Sequence, residues 1–161
     1  MGEGRAGELA SEVRAELVGS GRTLGCAESC TGGLVAGALT SVSGSSEYFK
    51  GGVVSYWSSV KEDVLGVPAE VIGRFGVVSR ECAVAMAEGA RRVIGCDFSV
   101  STTGIAGPGG AEPGKPVGTV WIAVAGPDGS TAELLHADGD RSAVRRAATE
   151  RALELLLEML R

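Results

Sequence analysis

The feature that most constrains this chain is the step Cys26-Ala27-Glu28-Ser29-Cys30-Thr31-Gly32-Gly33. Before it, Arg22-Thr23-Leu24-Gly25-Cys26-Ala27 reads as a short buried strand. After it, Leu34-Val35-Ala36-Gly37-Ala38-Leu39 reads as an apolar helix. A strand that passes into a helix within a few residues indicates an open α/β sheet. It puts the Ser29 oxygen at the carboxyl edge of that sheet, where such folds hold their ligands. The free N–H groups of the new helix face the same place. A purely structural role also fits the octapeptide: Ser29 or Thr31 serves as an N-cap, and the glycines permit a tight turn.

The remaining segments extend this pattern. Leu9, Val13, Leu17 and Val18 recur at helical spacing before the stop Gly19-Ser20-Gly21. The helix after the octapeptide is expected over about 32–42. A second strand is expected at Gly51–Tyr56, short helices at 58–65 and from Pro68 to Phe75, and a longer helix from Ser79 to Ile94. Strands follow at Asp97–Thr103, Val117–Ala125 and Thr131–His136, the last two joined by Pro127-Asp128-Gly129. Asp140 caps a final helix to about Leu160. The order α-β-α-β-α-α-α-β-β-β-α predicts one domain over 1–161. That domain is α/β, a three-layer α/β/α sandwich whose mixed sheet has an antiparallel hairpin near one end.

Charge and cysteine usage exclude several functions. The 161 residues carry a net charge of −5 without a basic tract, which argues against a nucleic-acid surface. The segments at 1–20 are charged, and no apolar run reaches membrane length, so no membrane partner and a cytoplasmic location are expected. Cys26, Cys30, Cys82 and Cys96 form no C-x-x-C pair, and His136 is the one histidine. No metal site is expected from them. Cys26 and Cys96 lie in apolar runs and read as buried free thiols, which fits a reducing compartment.

Two phosphate-loop patterns fail on context. Gly2-x-Gly4-x-x-Gly7 has no strand before it. Gly109-x4-Gly114-Lys115 is followed by Pro116, where a phosphate loop needs a hydroxyl residue and an N–H. A serine nucleophile at Ser29 needs a base, and nothing brings His136 to it. Of Lys50, Lys61 and Lys115, Lys61 is the candidate, because Val60, Val64 and Leu65 flank it and burial lowers a lysine pKa. A solvated lysine beside Glu62 and Asp63 is the alternative. Arg141 and Arg145 lie one helical turn apart after Asp140 and form a candidate phosphate site; solvent-exposed ion pairs are the alternative.

Taken together, several segments resemble a known family. They are Ala27–Gly33, Gly44-Ser45-Ser46, Gly52–Tyr56 with Lys61, Leu65-Gly66-Val67, Gly76–Ser79, Gly104–Gly110, Lys115–Val120 and Gly139-Asp140-Arg141-x3-Arg145. The chain resembles the C-terminal domain of the competence/damage-inducible protein A (CinA) family, in its stand-alone form, over about residues 5–157. The resemblance implies an amidohydrolase that converts nicotinamide mononucleotide to nicotinic acid mononucleotide and ammonia. It further implies a serine–lysine site, no cofactor or metal, and a homo-oligomer. Ser29 is then the nucleophile, Lys61 the base and Tyr56 a proton relay or a support for Lys61. Backbone groups of Cys30, Thr31, Gly32 and Gly33 hold the oxyanion. Gly104, Ile105, Ala106 and Gly107 wrap the nucleotide, and Arg141 or Arg145 takes its phosphate. One departure stands out: family members often have Tyr-Ser-Asn where this chain has Tyr56-Trp57-Ser58.

Overall fold

The computed structural model describes residues 4–161; Gly2 of the first glycine pattern lies outside them. In chain order the elements are α1 (Arg5–Ser20), β1 (Leu24–Glu28), α2 (Leu34–Thr40), a 3-10 turn (Ser45–Glu47), β2 (Phe49–Val54), α3 (Ser58–Asp63), α4 (Ala69–Phe75), α5 (Arg80–Ile94), β3 (Phe98–Gly104), β4 (Thr119–Gly126), β5 (Gly129–His136) and α6 (Arg141–Leu160). The five strands form one sheet in the order β2-β1-β3-β4-β5. β1 runs parallel to β2 and β3, while β3–β4 and β4–β5 are antiparallel. This is the expected three-layer α/β/α sandwich.

Side-chain alternation assigns the two faces. Leu24 and Cys26 of β1, Phe98 and Val100 of β3, and Val120, Ile122 and Val124 of β4 pack in one core with α1, α2 and α6. The intervening residues turn to α5. There the helix offers small side chains (Cys82, Ala83, Ala87, Gly89, Ala90), and β3 answers with Ser99, Ser101 and Thr103. Ser99 and Ser101 donate their hydroxyls to the carbonyls of Ala87 and Ala83, and Thr103 donates to that of Val77. A hydroxyl buried without a partner is costly, and these bonds remove that cost.

The crossovers position the site. After β1 the chain enters α2 on one face of the sheet; after β2 it enters α3, α4 and α5 on the other. The point where adjacent strands send their chains to opposite faces is the usual ligand crevice of such sheets. Ser29 follows β1 there, and Lys61 follows β2.

Two boundaries differ from the sequence expectation in ways that affect function. The second strand stops at Val54 and not at Tyr56. Ser55 still donates its N–H to the Glu28 carbonyl at 2.8 Å, but the chain then peels off the sheet edge. Gly104, expected in a loop, is the last residue of β3 and pairs with Val120. A Cβ there would lie 2.6 Å from the Thr119 carbonyl oxygen.

Gly89 sets how closely α5 approaches the segment that carries Lys61. A Cβ at this position would fall 2.0 Å from the Leu65 carbonyl oxygen. Arg92 donates to that same carbonyl at 2.9 Å, and Leu65 is fully buried. Alanine is the better helix former by about 1 kcal/mol, yet here its methyl must displace backbone. Gly89→Ala is therefore expected to destabilise the fold by about 1–3 kcal/mol, the usual cost of overpacking. Urea denaturation measures it; a variant as stable as the parent would mean that the contact is easily relieved.

Candidate active site

The two sequence candidates meet. Lys61 Nζ lies 3.0 Å from Ser29 Oγ, 2.6 Å from the Ser55 carbonyl oxygen and 3.3 Å from that of Tyr56. Lys61 is 1% exposed, so it is a buried lysine and not a solvated one. Its flanking acids do not reach the amine, because α3 turns them outward. Burial lowers the Lys61 pKa from its ordinary value of 10.5, with the nearby Cys82 and Cys30 thiols acting in the opposite direction. A carbonyl can only accept, so the amine gives one hydrogen to Ser55 and one to Tyr56. The third polar contact of the amine is with Ser29 Oγ; in the neutral form, which has two hydrogens, the lone pair would face that hydroxyl.

The turn that carries Ser29 is held from three sides. Ser29 N–H donates to the Thr102 carbonyl of β3 at 3.0 Å. Glu28, adjacent in the strand, points to the opposite face of the sheet and is 1% exposed. Its carboxylate accepts the N–H groups of Val35 (2.8 Å) and Ala36 (3.0 Å) and the Thr31 hydroxyl (2.6 Å). Thr31 in turn shares a 2.7 Å hydrogen bond with Thr102. Helix α2 thus takes its cap from Glu28: the residue at its N-cap is Gly33, which has no side chain to offer, and neither Ser29 nor Thr31 serves in that role. On the third side, Arg145 donates to the carbonyls of Cys30 and Thr31, each at 3.1 Å.

A cavity of about 420 Å³ opens over Ser29 and Lys61, a size suited to a small-molecule ligand. Cys30, Tyr56, Ser58, the Gly104–Gly107 segment, Glu112 and Arg141 are among its walls. Ser58, where the sequence departs from its family pattern, therefore faces the cavity. Arg141 donates to the Gly107 carbonyl at 2.8 Å and to the Tyr56 hydroxyl at 3.0 Å, so it ties the glycine loop to the lip opposite in sequence.

Several expectations change at this point. Arg145 does not line the cavity. It lies behind the turn, in a separate groove between α1, α2 and α6, with two of its donors already engaged by backbone. Thr31 is fully buried in the Glu28 network, and Gly32 and Gly33 also lie outside the cavity wall. The positive φ of these glycines (56° and 109°) shapes the turn. Tyr56 supports Lys61 through its main-chain carbonyl, whereas its hydroxyl is bound to Arg141. Burial pushes the Cys30 thiol up to about 11, which leaves it a poor nucleophile beside Ser29. His136 is exposed at the end of β5, three strands from β1. Lys50 and Lys115 are bound to the carbonyls of Gly95 and Phe75. Glu28, Ser55 and Thr102 escaped sequence reasoning. One signal for Glu28 was present: a helix that starts after two glycines needs an acceptor from elsewhere.

Comparison with known proteins identifies the family. Residues 6–160 match the family model of the CinA C-terminal domain. The chain belongs to the CinA family. It is 51% identical over 161 residues to a CinA-like protein of Anaeromyxobacter dehalogenans, and 51% identical over 154 residues to one from Parasynechococcus marenigrum. These matches cover 100% and 94% of the chain but 39% and 37% of the relatives, so the CinA domain described here spans about two-fifths of their length. Among solved structures it is similar to the competence/damage-inducible protein CihA from Agrobacterium tumefaciens. That pair superposes with a TM-score of 0.95 at 41% identity, covering 98% and 97% of the two chains. A CinA superfamily protein from Klebsiella pneumoniae gives 0.93 at 34% identity, with 98% of each covered. Among the described residues no helix is long and apolar enough to cross a membrane.

Two outcomes test the site. In Glu28→Gln one α2 N–H meets an amide NH2 in place of an oxygen, so a loss of about 1–3 kcal/mol in stability is expected by urea denaturation. Lys61 acts through linkage. Its folded pKa is lowered, so between that value and 10.5 the unfolded chain binds more protons, and its contribution to stability rises with pH. Lys61→Met removes this term. Its stability relative to the parent is therefore expected to fall steadily as pH is raised towards 10, measured by thermal melts; a pH-independent difference would mean that the amine titrates normally.

Proposed function

We propose that this CinA domain is an amidohydrolase that releases ammonia from nicotinamide mononucleotide, leaving nicotinic acid mononucleotide. The observation that carries the reading is the buried contact of 3.0 Å between Ser29 Oγ and Lys61 Nζ at the floor of a ligand-sized cavity. A lysine buried without a carboxylate partner is costly to maintain and is a common feature of activated serine sites.

The steps follow from the groups present. Neutral Lys61 takes the Ser29 proton as Oγ bonds to the carboxamide carbon, and the carbonyl oxygen becomes an oxyanion. Among the described residues the N–H groups of Cys30, Thr31, Ala106 and Gly107 donate to no main-chain carbonyl. Cys30, directly after the nucleophile, is the main candidate to donate to that oxygen. The C–N bond then breaks, and the Lys61 ammonium gives its proton to the leaving nitrogen, which departs as ammonia. Water attacks the resulting ester with Lys61 again as base; the acid product forms and Ser29 regains its proton. Arg141 retains donors beyond the two it uses and is assigned the phosphate. No step calls for a metal, and among the described residues no three His, Cys, Asp or Glu side chains form a metal-binding group.

Ammonia release from nicotinamide mononucleotide by the purified chain is the direct test. Lys61→Met is expected to lower kcat about 10²–10⁴-fold, the range for general-base removal. Ser29→Ala is expected to lose at least as much, and the double variant little more than either, because the two groups act as one unit. Lys61→Arg should not rescue, since a guanidinium stays protonated. Cys30→Ala should retain activity. The parent rate should rise with pH through the lowered Lys61 pKa and level off below 10.5, because only the neutral amine accepts a proton. An active Ser29→Ala beside a dead Cys30→Ala would move the nucleophile to the thiol. Nucleotide binding without turnover in the parent would favour a non-enzymatic binding module.

A further inference from the structure

We propose that Glu112 is a specificity residue that reads a positive charge on the substrate next to its amide. The proposal rests on the amidohydrolase reading of the same cavity. Of the Lys, Arg, Asp and Glu side chains that line the cavity, Arg141 and Glu112 are left for a ligand, since Lys61 is engaged beneath them. Glu112 stands on a turn fixed at its base: its N–H donates to the Lys115 carbonyl at 2.9 Å, and the Lys115 N–H returns to the Glu112 carbonyl at 2.8 Å. The nearest cation in sequence is drawn away, because the Lys115 ammonium donates to the Phe75 carbonyl at 3.1 Å. Arg141 is held by Gly107 and Tyr56. Among the described residues the Glu112 carboxylate makes no salt bridge and no side-chain hydrogen bond.

An unpaired carboxylate on the wall of a small cavity attracts cationic groups and repels anionic ones; Arg141 does the reverse. A ligand that satisfies both is dipolar. It carries an anion for Arg141 and a positive centre for Glu112, with the amide delivered to Ser29 between the two. An N-substituted pyridinium carboxamide has this charge pattern, and its reduced dihydropyridine form does not. The two differ in ring charge while sharing the amide, the ribose and the phosphate.

The test is kcat/KM for nicotinamide mononucleotide and for its reduced dihydropyridine form, with the parent, Glu112→Gln and Glu112→Lys. Glu112→Gln keeps the size of the side chain and lies on an exposed turn closed by main-chain bonds, so the fold should be unaffected. It is expected to lower the value for the cationic substrate about two- to fivefold, the range for a partly screened charge pair, and to leave the neutral one within about 1.5-fold. Glu112→Lys should lower the value for the cationic substrate further than Glu112→Gln does, and added salt should narrow the parent's preference. Equal changes for both substrates overturn the proposal. If the parent releases ammonia from neither, the amidohydrolase reading falls. Glu112 is then decided by calorimetric titration of N-methylnicotinamide, a cation, against neutral nicotinamide. A preference for the cation that Glu112→Gln removes supports the charge reading alone; equal binding, or none, overturns it.

Discussion

The burial of one lysine amine governs the arrangement of this molecule. An ammonium taken out of water without a carboxylate loses its hydration, which lowers its pKa. The fold supplies two main-chain acceptors for the hydrogens of the amine. Strand β2 ends at Val54, so the carbonyls of Ser55 and Tyr56 leave the ladder and turn to Lys61. Beneath them, Leu65 anchors the end of the α3 segment against α5 at a place where only a glycine fits. The features of the sheet edge, the helix contact and the short helix that look irregular separately serve one requirement.

The period of a β-strand does the corresponding work on the side of Ser29. Successive residues of β1 face opposite layers. Glu28 therefore enters the layer of α2, where its carboxylate caps the helix, and Ser29 enters the layer of Lys61. A one-residue slip of β1 would exchange these roles and bury a carboxylate against the lysine. The parallel pairing of β1 with both β2 and β3 over five residues opposes such a slip.

Much of this was legible in the sequence. The element order followed from hydrophobic period and turn residues, and the strand–turn–helix step located Ser29. Lys61 was within reach because apolar residues flank it, although Glu62 and Asp63 made an exposed lysine equally reasonable; only the packing of Leu65 and α5 settles that. The roles of Glu28 and Arg145 were hidden for a different reason. Both act on main-chain atoms, whose directions depend on the turn's dihedral angles and not on residue type. A pair of arginines one turn apart reads as an anion site, yet tertiary geometry sends one to the cavity and the other to two carbonyls behind it. Glu112 lies in a glycine-rich stretch with no periodicity, so its place on the cavity wall became visible only with the fold.

Arg145 reaches the Cys30 carbonyl across 115 residues of chain, and this distance matters while the protein is being made. The ribosome delivers residues in order, so Ser29 and Lys61 leave the exit tunnel long before α6. At that stage β1 and β2 are already present, but the carbonyls of Cys30 and Thr31 have no guanidinium to hold them, and the glycine loop lacks Arg141. Helix α6, made well after β1 and β2, therefore completes a part of the site that precedes it by more than a hundred residues. Until α6 emerges, the turn that carries Ser29 lacks the support that Arg145 gives it.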